Sequence, residues 1–302
     1  MTAEPTVRRP AATARRAPET VRRRSGACRP RWGAADLAFH GVMTAYALLY
    51  FLPLLWMALS SQKSNGQILG SPFALPQHRD LSVFARAWQI GNLGRYALNS
   101  AVVTLVSTVL VLLLGSMAAF TFARFRFAGS GALLGLLTLG LLLPVQSYFI
   151  AQNAMFEAMG IKDTRWALIL PYTGMGLPMA VWLLRAYLGS LPRELFEAAR
   201  LDGAGDWRIY RSLVLPLLRS GLATVTVFSA LSAWNEFLLA LLYIQSDDLK
   251  TIPTGLLTFS SRYITDYQLL FAALTMVTMP MIAVYVMFHR QVVAGLTEGS
   301  TK

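Results

Sequence analysis

The sequence predicts an all-α, polytopic membrane protein with about six transmembrane helices. Of its 302 residues, 55% are hydrophobic and only 14% are charged, whereas an ordinary soluble domain carries about 25% charged residues. The mean hydropathy is +0.48. Because so much apolar surface accompanies so little charge, a lipid bilayer is the expected solvent.

Six apolar segments reach the length of roughly 20 residues that an α-helix needs to cross a bilayer. The predicted spans cover residues 37–59, 99–122, 131–150, 167–188, 213–244 and 269–288. The fifth is longer than one crossing requires. Proline and glycine occur inside several spans, and membrane helices tolerate them because neighbouring helices satisfy the freed backbone groups.

The net charge of +12 is distributed as membrane topology requires, which argues against nucleic-acid binding. Nine arginines precede the first span, and further basic residues follow the second, fourth and sixth spans. The alternate connections are poorer in lysine and arginine for their length. This positive-inside pattern predicts a multi-pass protein of the cell membrane with both termini in the cytoplasm.

The predicted organisation is an Arg-rich cytoplasmic tail, residues 1–34, followed by a transmembrane domain, residues 35–302. The N-terminal tail has too few apolar side chains to bury a core, so disorder is expected. Its arginines orient the first span, and contact with anionic lipid is an additional interpretation. Residues 289–302 form a predicted C-terminal cytoplasmic tail.

Signatures of catalysis and of nucleotide binding are absent from the sequence. It contains no G-x-x-x-x-G-K-[ST], G-x-S-x-G or H-E-x-x-H motif. The single cysteine, Cys28, can form neither an intrachain disulfide nor a thiol metal cluster. The three histidines fall in different parts of the predicted topology. No cofactor and no metal site are therefore expected, and the chain is interpreted as a membrane pathway whose energy source lies elsewhere.

The connection between the fourth and fifth predicted spans carries a charge-rich stretch, ELFEAARLDGAGDWRIYRSLVLP, residues 194–216. Ser190 is expected to cap a helix over residues 192–201, and Asp202 with Gly203 predicts a turn. A second helix is expected to follow and to continue into the fifth span. A helix of under three turns is marginal in water, so the stretch is predicted to dock on a partner.

This stretch resembles the coupling loop in permease subunits of ABC importers, whose pattern is E-A-A, three residues, G, nine residues, I-x-L-P. Here EAARLDG is followed at the family spacing by LVLP, with Leu213 in place of the usual isoleucine. The resemblance implies a type I ABC importer permease fold. The residues implied in coupling to the ATPase are Glu197, Ala198, Ala199, Asp202, Gly203, Leu213, Leu215 and Pro216.

In that family the loop sits in a cleft of the ATP-hydrolysing subunit and transmits nucleotide-driven closure to the spans. The resemblance therefore implies a transport subunit and no enzyme, with ATP hydrolysis in a separate protein. The implied partners are a second homologous permease, a dimer of ATP-binding subunits, an extracytoplasmic solute-binding protein, a sugar and membrane lipid.

Three further segments resemble the carbohydrate branch of the family, of the maltose-permease type. They are AWNEFLLAL at residues 233–241, TIPTGLLTF at residues 251–259 and VVAGLTEGSTK at residues 292–302. The family core is expected over about residues 96–290. The C-terminal element departs from the common residues at three positions, which leaves a contact between this tail and the ATPase open.

Two further sets of residues are candidate contacts. Trp234, Asn235 and Glu236 are candidates for the substrate pathway, because polar groups inside a span are costly unless they face protein or a water-filled cavity. Interhelical hydrogen bonding is the alternative. The resemblance also implies that the external loop, residues 260–267, contacts the binding protein, and the side chains suited to an interface are Arg262, Tyr263 and Tyr267.

Two alternative functions stand beside carbohydrate import. One is import of another solute, such as a polyamine, phosphate or an amino acid, and the W-N-E-F and G-L-T elements argue against it. The other is a membrane-embedded enzyme, which would need a cluster of ionisable residues at one interface. The sequence does not identify the sugar.

Overall fold

The computed structural model describes residues 34–260 and 265–298, and most of them are helical. Within these ranges the β-type pairing is a single isolated bridge between Ser260 and Thr265. The predicted all-α class is confirmed. The described residues divide into two units between Leu49 and Tyr50, and the predicted N-terminal tail lies outside the described residues apart from Ala34.

The helices follow one another along the chain with short connections. They are α1 (Ala34–Ser60), α2 (Asn65–Gly70), α3 (Ser82–Ile90), α4 (Leu93–Arg124), α5 (Ser130–Gly140), α6 (Phe149–Ala158), α7 (Trp166–Ser190), α8 (Arg193–Leu201), α9 (Asp206–Ile209), α10 (Leu215–Leu217), α11 (Arg219–Asn235), α12 (Leu238–Tyr243), α13 (Ile252–Gly255) and α14 (Tyr267–Glu298). A π-turn joins α9 to α10 over Tyr210–Val214. Three 3₁₀ turns cover Val145–Ser147, Asp247–Leu249 and Leu256–Phe259.

Four helices are long and apolar enough to cross a membrane, namely most of α1, all of α4 and α7, and the first 22 residues of α14. They contain the predicted first, second, fourth and sixth spans. A fifth crossing exists if the bent pair Asp206–Leu217 and Arg219–Asn235 is counted as one. In the described part of the chain, four or five spans are therefore supported by helix length and composition, whereas about six were predicted.

The predicted third span, residues 131–150, is not one continuous helix. Helix α5 has 11 residues and ends at Gly140, which is too short for a crossing of about 20 residues. Pro144 has extended backbone with ψ of 138°, and because it lacks an N–H it cannot continue the helical ladder. A 3₁₀ turn and α6 follow this break.

The predicted fifth span, residues 213–244, is interrupted twice. Pro216 has no N–H for the carbonyl four residues earlier, and its ring would clash with that carbonyl. The chain widens into the π-turn just before it and bends by 76° between residues 206–217 and 219–235. At the other end, Glu236 adopts extended backbone with ψ of 124° and separates α11 from α12.

Helices α4 and α7 form the central pair of the second unit, and small residues set their separation. A Cβ at Gly115 of α4 would lie 2.8 Å from the Cβ of Ala180 of α7. A Cβ at Gly176 of α7 would lie 2.7 Å from the Cγ2 of Val111 of α4. Small side chains at such positions allow membrane helices to approach closely, so these contacts hold α4 against α7.

The segment after α12 is fastened to the start of α4 by polar side chains. The Nδ2 of Asn99, which is 1% exposed, donates to the carbonyl oxygens of Asp248 at 2.8 Å and Lys250 at 3.0 Å. The Tyr96 hydroxyl donates to the Oδ2 of Asp247 at 3.0 Å. We refer to this contact as the α4 latch.

The α4 latch predicts a pH dependence of stability. Hydrogen bonds from Lys250 and then from Tyr96 hold the pKa of Asp247 below its usual value of 3.8. A carboxylate with a depressed pKa contributes stability above its unfolded pKa and loses it as the pH falls through the folded pKa. We therefore expect the unfolding temperature of the purified protein to fall as the pH drops from about 5 to about 3, and Asp247→Asn to make this fall smaller. A fall of equal size in both proteins, measured by thermal unfolding, would contradict the expectation.

Candidate functional site

The predicted coupling loop forms a helix, a turn and a second helix ahead of the bend. Helix α8 begins at Arg193 with Pro192 as its N-terminal flanking residue, and no side chain caps its amides. The expected Ser190 cap is wrong: Ser190 is the last residue of α7, and its hydroxyl donates to the carbonyl of Tyr187 at 2.7 Å. Glu194 in the first turn of α8 lies where the helix dipole favours negative charge.

The turn between α8 and α9 depends on one glycine. Gly203 has a φ of +77°, in the left-handed region that favours glycine. The amide of Asp202 donates to the carbonyl of Ala198 at 3.0 Å, and the amide of Ala204 donates to that of Ala199 at 3.0 Å. These bonds satisfy the last turn of α8, so the turn predicted at Asp202 and Gly203 is confirmed.

One face of the coupling loop is anchored in the core of the second unit. Phe196 of α8 is 7% exposed, and the guanidinium carbon of Arg124 at the end of α4 lies 5.4 Å from its ring centroid. Tyr210 of the π-turn is buried, and its hydroxyl lies 2.8 Å from that of Ser116 in the C-terminal half of α4. Packed side chains therefore connect the loop directly to α4.

The end of the predicted motif belongs to this anchor. Leu213 and Leu215 are partly buried and pack against the same cluster as Phe196 and Tyr210. Pro216 is exposed and lies at the bend. The motif therefore supplies apolar packing and a kink rather than a direct contact surface at this end.

The opposite face of the coupling loop exposes apolar side chains. Leu201 is 89% exposed and Trp207 is 63% exposed, and they flank the Gly203 turn. Glu197 and Ala198 are also exposed. Large apolar residues that are grouped on a surface mark interaction sites. Our sequence reasoning missed Leu201 and Trp207, although both stand beside an obligatory glycine in a polar stretch.

The two helices of the coupling loop are also joined by an ion pair. The Nη2 of Arg200 lies 3.0 Å from the Oδ1 of Asp206, and both side chains are about half exposed. A pair this exposed contributes little to stability. The pair links the end of α8 to the start of α9.

The three predicted pathway residues do not converge on one site. Trp234 packs against the buried cluster that contains Tyr96. The Nδ2 of Asn235 donates back to the carbonyl of Leu231 in the same helix, at 2.9 Å. Glu236 is the member of this trio that lines a cavity.

Glu236 holds the break between α11 and α12. Its Oε1 accepts the amide of Leu239 at 3.0 Å, and its Oε2 accepts the amide of Ala240 at 3.2 Å. The hydroxyl of Tyr172 in α7 donates to the same Oε2 at 2.8 Å. Glu236 thus caps α12 and ties it to α7, which is the interhelical bonding that the alternative interpretation anticipated.

A cavity of about 180 Å³ opens between α7 and α11 beside this break. Its polar lining comes from Tyr172, Ser229, Ser232 and Glu236, and Phe228 forms part of its apolar wall. We call it the α7–α11 cavity. The sequence offered no signal for it, because its lining residues belong to two helices whose pairing is a tertiary contact.

Part of the predicted external loop can be described. Arg262 and Tyr263 lie outside the described residues. On either side of them, the hydroxyls of Ser260 and Thr265 lie 3.2 Å apart. Tyr267 is partly buried at the start of α14, and its ring centroid lies 6.4 Å from that of Phe271.

The chain is similar to a known transport family and to characterised relatives. Residues 111–297 match the sequence model described as "Binding-protein-dependent transport system inner membrane component". The chain is 36% identical over 263 residues to the diacetylchitobiose uptake system permease protein NgcG of Streptomyces coelicolor, covering 86% of this chain and 87% of the relative. It is 33% identical over 279 residues to the trehalose transport system permease protein SugB of Mycobacterium tuberculosis, covering 90% of this chain and 97% of that relative.

The fold is also similar to a solved structure. A chain of a bacterial ABC transporter involved in the import of the acidic polysaccharide alginate superposes with a TM-score of 0.73 and 20% sequence identity, covering 86% of this chain and 99% of that chain. At this identity the likeness shows the fold alone.

The apolar helices and the family match together indicate a multi-pass membrane transport permease. The chain belongs to the binding-protein-dependent transport system inner membrane component family. The predicted ABC importer permease class is confirmed, and the chain is a transport subunit rather than an enzyme.

Proposed function

We propose that the chain forms half of the transmembrane pathway of an ATP-driven importer for a sugar or oligosaccharide. The relatives named for diacetylchitobiose and trehalose uptake support this substrate class. The W-N-E-F and T-I-P-T-G-L segments of the sequence, which resemble the carbohydrate branch of the family, support the same class. The other half of the pathway is a second, homologous permease.

The observation that carries the proposal is the coupling loop, which has one buried face and one exposed apolar face. The exposed face, with Leu201 and Trp207, docks into a cleft of an ATP-binding subunit. The buried face, with Phe196 and Tyr210, is packed on α4. ATP-driven closure of two such subunits moves the loop, and the packed contacts pass the movement to α4 and open the pathway outward. Hydrolysis returns it to the inward state.

Leu201→Asp tests the docking. We expect the ATP-binding subunits to stop co-purifying with this variant, because a charge replaces an apolar side chain that is 89% exposed and buried in the complex, at a cost of several kcal/mol. Leu69→Asp is the matched control, since Leu69 is 69% exposed in α2, in the external connection. Normal co-purification of the ATP-binding subunits with Leu201→Asp would contradict the docking assignment.

The orientation follows from the distribution of arginine and lysine. This orientation needs six crossings, so we infer that the broken segment from α5 to α6 and the bent segment from α9 to α11 each complete one. Both termini and the coupling loop then lie on the cytoplasmic side, and the α4 latch lies outside. A reporter fused after Lys302 should therefore be cytoplasmic, and a tag inserted near Asp247 should be labelled from outside. Labelling on the opposite sides would overturn the orientation.

The solute-binding protein docks on the external side, where the sequence resemblance implies contact through Arg262, Tyr263 and Tyr267. The paired Ser260 and Thr265 support this assignment, because they hold the two ends of the loop together. A loop whose two ends are fixed loses less conformational entropy on binding than a free segment does.

A further inference from the structure

The break after α11 leaves hydrogen-bond acceptors beside the α7–α11 cavity. In the described part of the chain, the amides of Phe237 and Leu238 form no backbone hydrogen bond to the last turn of α11. Ala233 belongs to that turn and lines the cavity. Carbonyl oxygens at an uncapped helix end need other donors, and broken membrane helices place such groups where they line cavities.

Two serine hydroxyls add further unsatisfied polar groups. Ser229 and Ser232 line the cavity, and across residues 34–260 and 265–298 neither hydroxyl hydrogen-bonds to another side chain or to the backbone. Thr226 of the same helix behaves in the usual way, because its hydroxyl donates to the carbonyl of Leu222 at 2.8 Å. The two serines can therefore both donate to a ligand and accept from it.

The charge of the cavity selects against anions. Glu236 is the one charged residue among those that line it, and its carboxylate already accepts the amides of Leu239 and Ala240. The negative charge of this carboxylate repels an anionic group. The partial negative charge at the C-terminal end of α11 acts in the same direction.

The remaining walls are apolar. Met175, Met179 and Phe228 line the cavity, and mostly apolar walls with a few placed polar groups are typical of small-molecule sites. An aromatic ring such as that of Phe228 presents a flat apolar surface to the C–H face of a sugar ring. The cavity volume of about 180 Å³ is close to that of one sugar ring.

We propose that the α7–α11 cavity is a subsite for one ring of an uncharged sugar, held through its hydroxyls by Ser229, Ser232 and Glu236. The proposal rests on the proposed function as a sugar permease. It adds that this subunit itself contacts the substrate, and that a neutral ring is accepted where an acidic one is rejected.

The test uses the complete transporter with its partner subunits in proteoliposomes. Uptake is measured with labelled trehalose, labelled diacetylchitobiose and a labelled alginate-derived disaccharide. We expect the wild type to import a neutral sugar and not the acidic one. In the double variant Ser229→Ala/Ser232→Ala the KM for that sugar should rise about tenfold, the loss expected for two hydrogen bonds. Thr226→Ala, which removes a hydroxyl outside the cavity, should leave KM unchanged.

A second measurement does not depend on transport. The single native cysteine, Cys28, is replaced by serine, and Ser232→Cys is introduced in that background. A thiol reagent should label this cysteine. The neutral sugar should prevent most of the labelling, whereas the acidic disaccharide should not. This readout separates occupancy of the cavity from a general defect in folding or coupling.

The outcomes distinguish the subsite from the function on which it rests. If the wild type imports a neutral sugar, but the double variant keeps its KM and the sugar does not protect Ser232→Cys, the subsite is refuted and the sugar permease stands. If the acidic disaccharide is imported or protects equally, the uncharged class is refuted. If none of the three sugars is imported, the proposed function itself fails.

Discussion

Gly203→Val is expected to abolish coupled sugar uptake, whereas Gly205→Ala is expected to leave uptake unchanged. Gly203 has a φ of +77°, and a β-branched residue reaches that region only at a cost of roughly 1–2 kcal/mol. The chain would relieve this strain by opening the turn between α8 and α9. Gly205 has a φ of −69°, and a Cβ there would meet no atom within 4 Å, so alanine fits.

The functional effect of Gly203→Val exceeds its effect on stability, because the turn sets the relative positions of Leu201 and Trp207. A docking surface that is displaced by about 1 Å loses much of its complementarity. A Cβ at Gly203 meets no atom of the chain within 4 Å, so Gly203→Asp would expose a charge at the turn beside the proposed docking residues, and it is expected to act in the same direction. Uptake into vesicles and stimulation of ATP hydrolysis by the loaded binding protein measure the effect. Wild-type coupling in Gly203→Val would contradict the assignment.

Gly255→Ala is expected to cause the largest loss of stability. A Cβ at Gly255 would lie 2.6 Å from the Cε2 of Tyr96, whose side chain is 1% exposed. Overpacking of this kind costs about 1–3 kcal/mol, and more when the neighbour cannot move. The Tyr96 hydroxyl also holds Asp247 in the α4 latch, so a displaced ring would loosen that contact as well.

Two controls accompany this prediction: a substitution at another glycine, and a smaller side chain in place of the Tyr96 ring. Gly66→Ala should be neutral, because a Cβ at Gly66 of α2 meets no atom within 4 Å. The double variant Gly255→Ala/Tyr96→Leu should lose less free energy of unfolding than the sum of the losses in the two single variants, because removal of the ring relieves the clash. Thermal unfolding of the purified variants gives these differences. Strictly additive losses would show that the clash is not the cause.

The amino-acid sequence by itself determined the helical membrane class and the coupling loop. Long apolar runs form helices in a bilayer, because a helix satisfies the hydrogen bonds of its own backbone N–H and C=O groups. The turn at Gly203 was predictable for a similar reason: a glycine that follows a short amphipathic helix marks a left-handed end. These features depend on residues that are close in sequence, and they sufficed to indicate the family.

The tertiary structure alone decided where the long spans break and which polar groups meet. Residues 131–150 and 213–244 read as continuous apolar runs, because membrane helices tolerate a proline or one acidic residue. The structure shows that they break at Pro144 and at Glu236, whose carboxylate accepts the amides of Leu239 and Ala240. Tyr172 and Glu236 are 64 residues apart, and their 2.8 Å hydrogen bond exists because α7 packs beside α11. A cavity between two helices is a property of their pairing, so neither local pattern could place the hydroxyls of Ser229 and Ser232 beside that carboxylate.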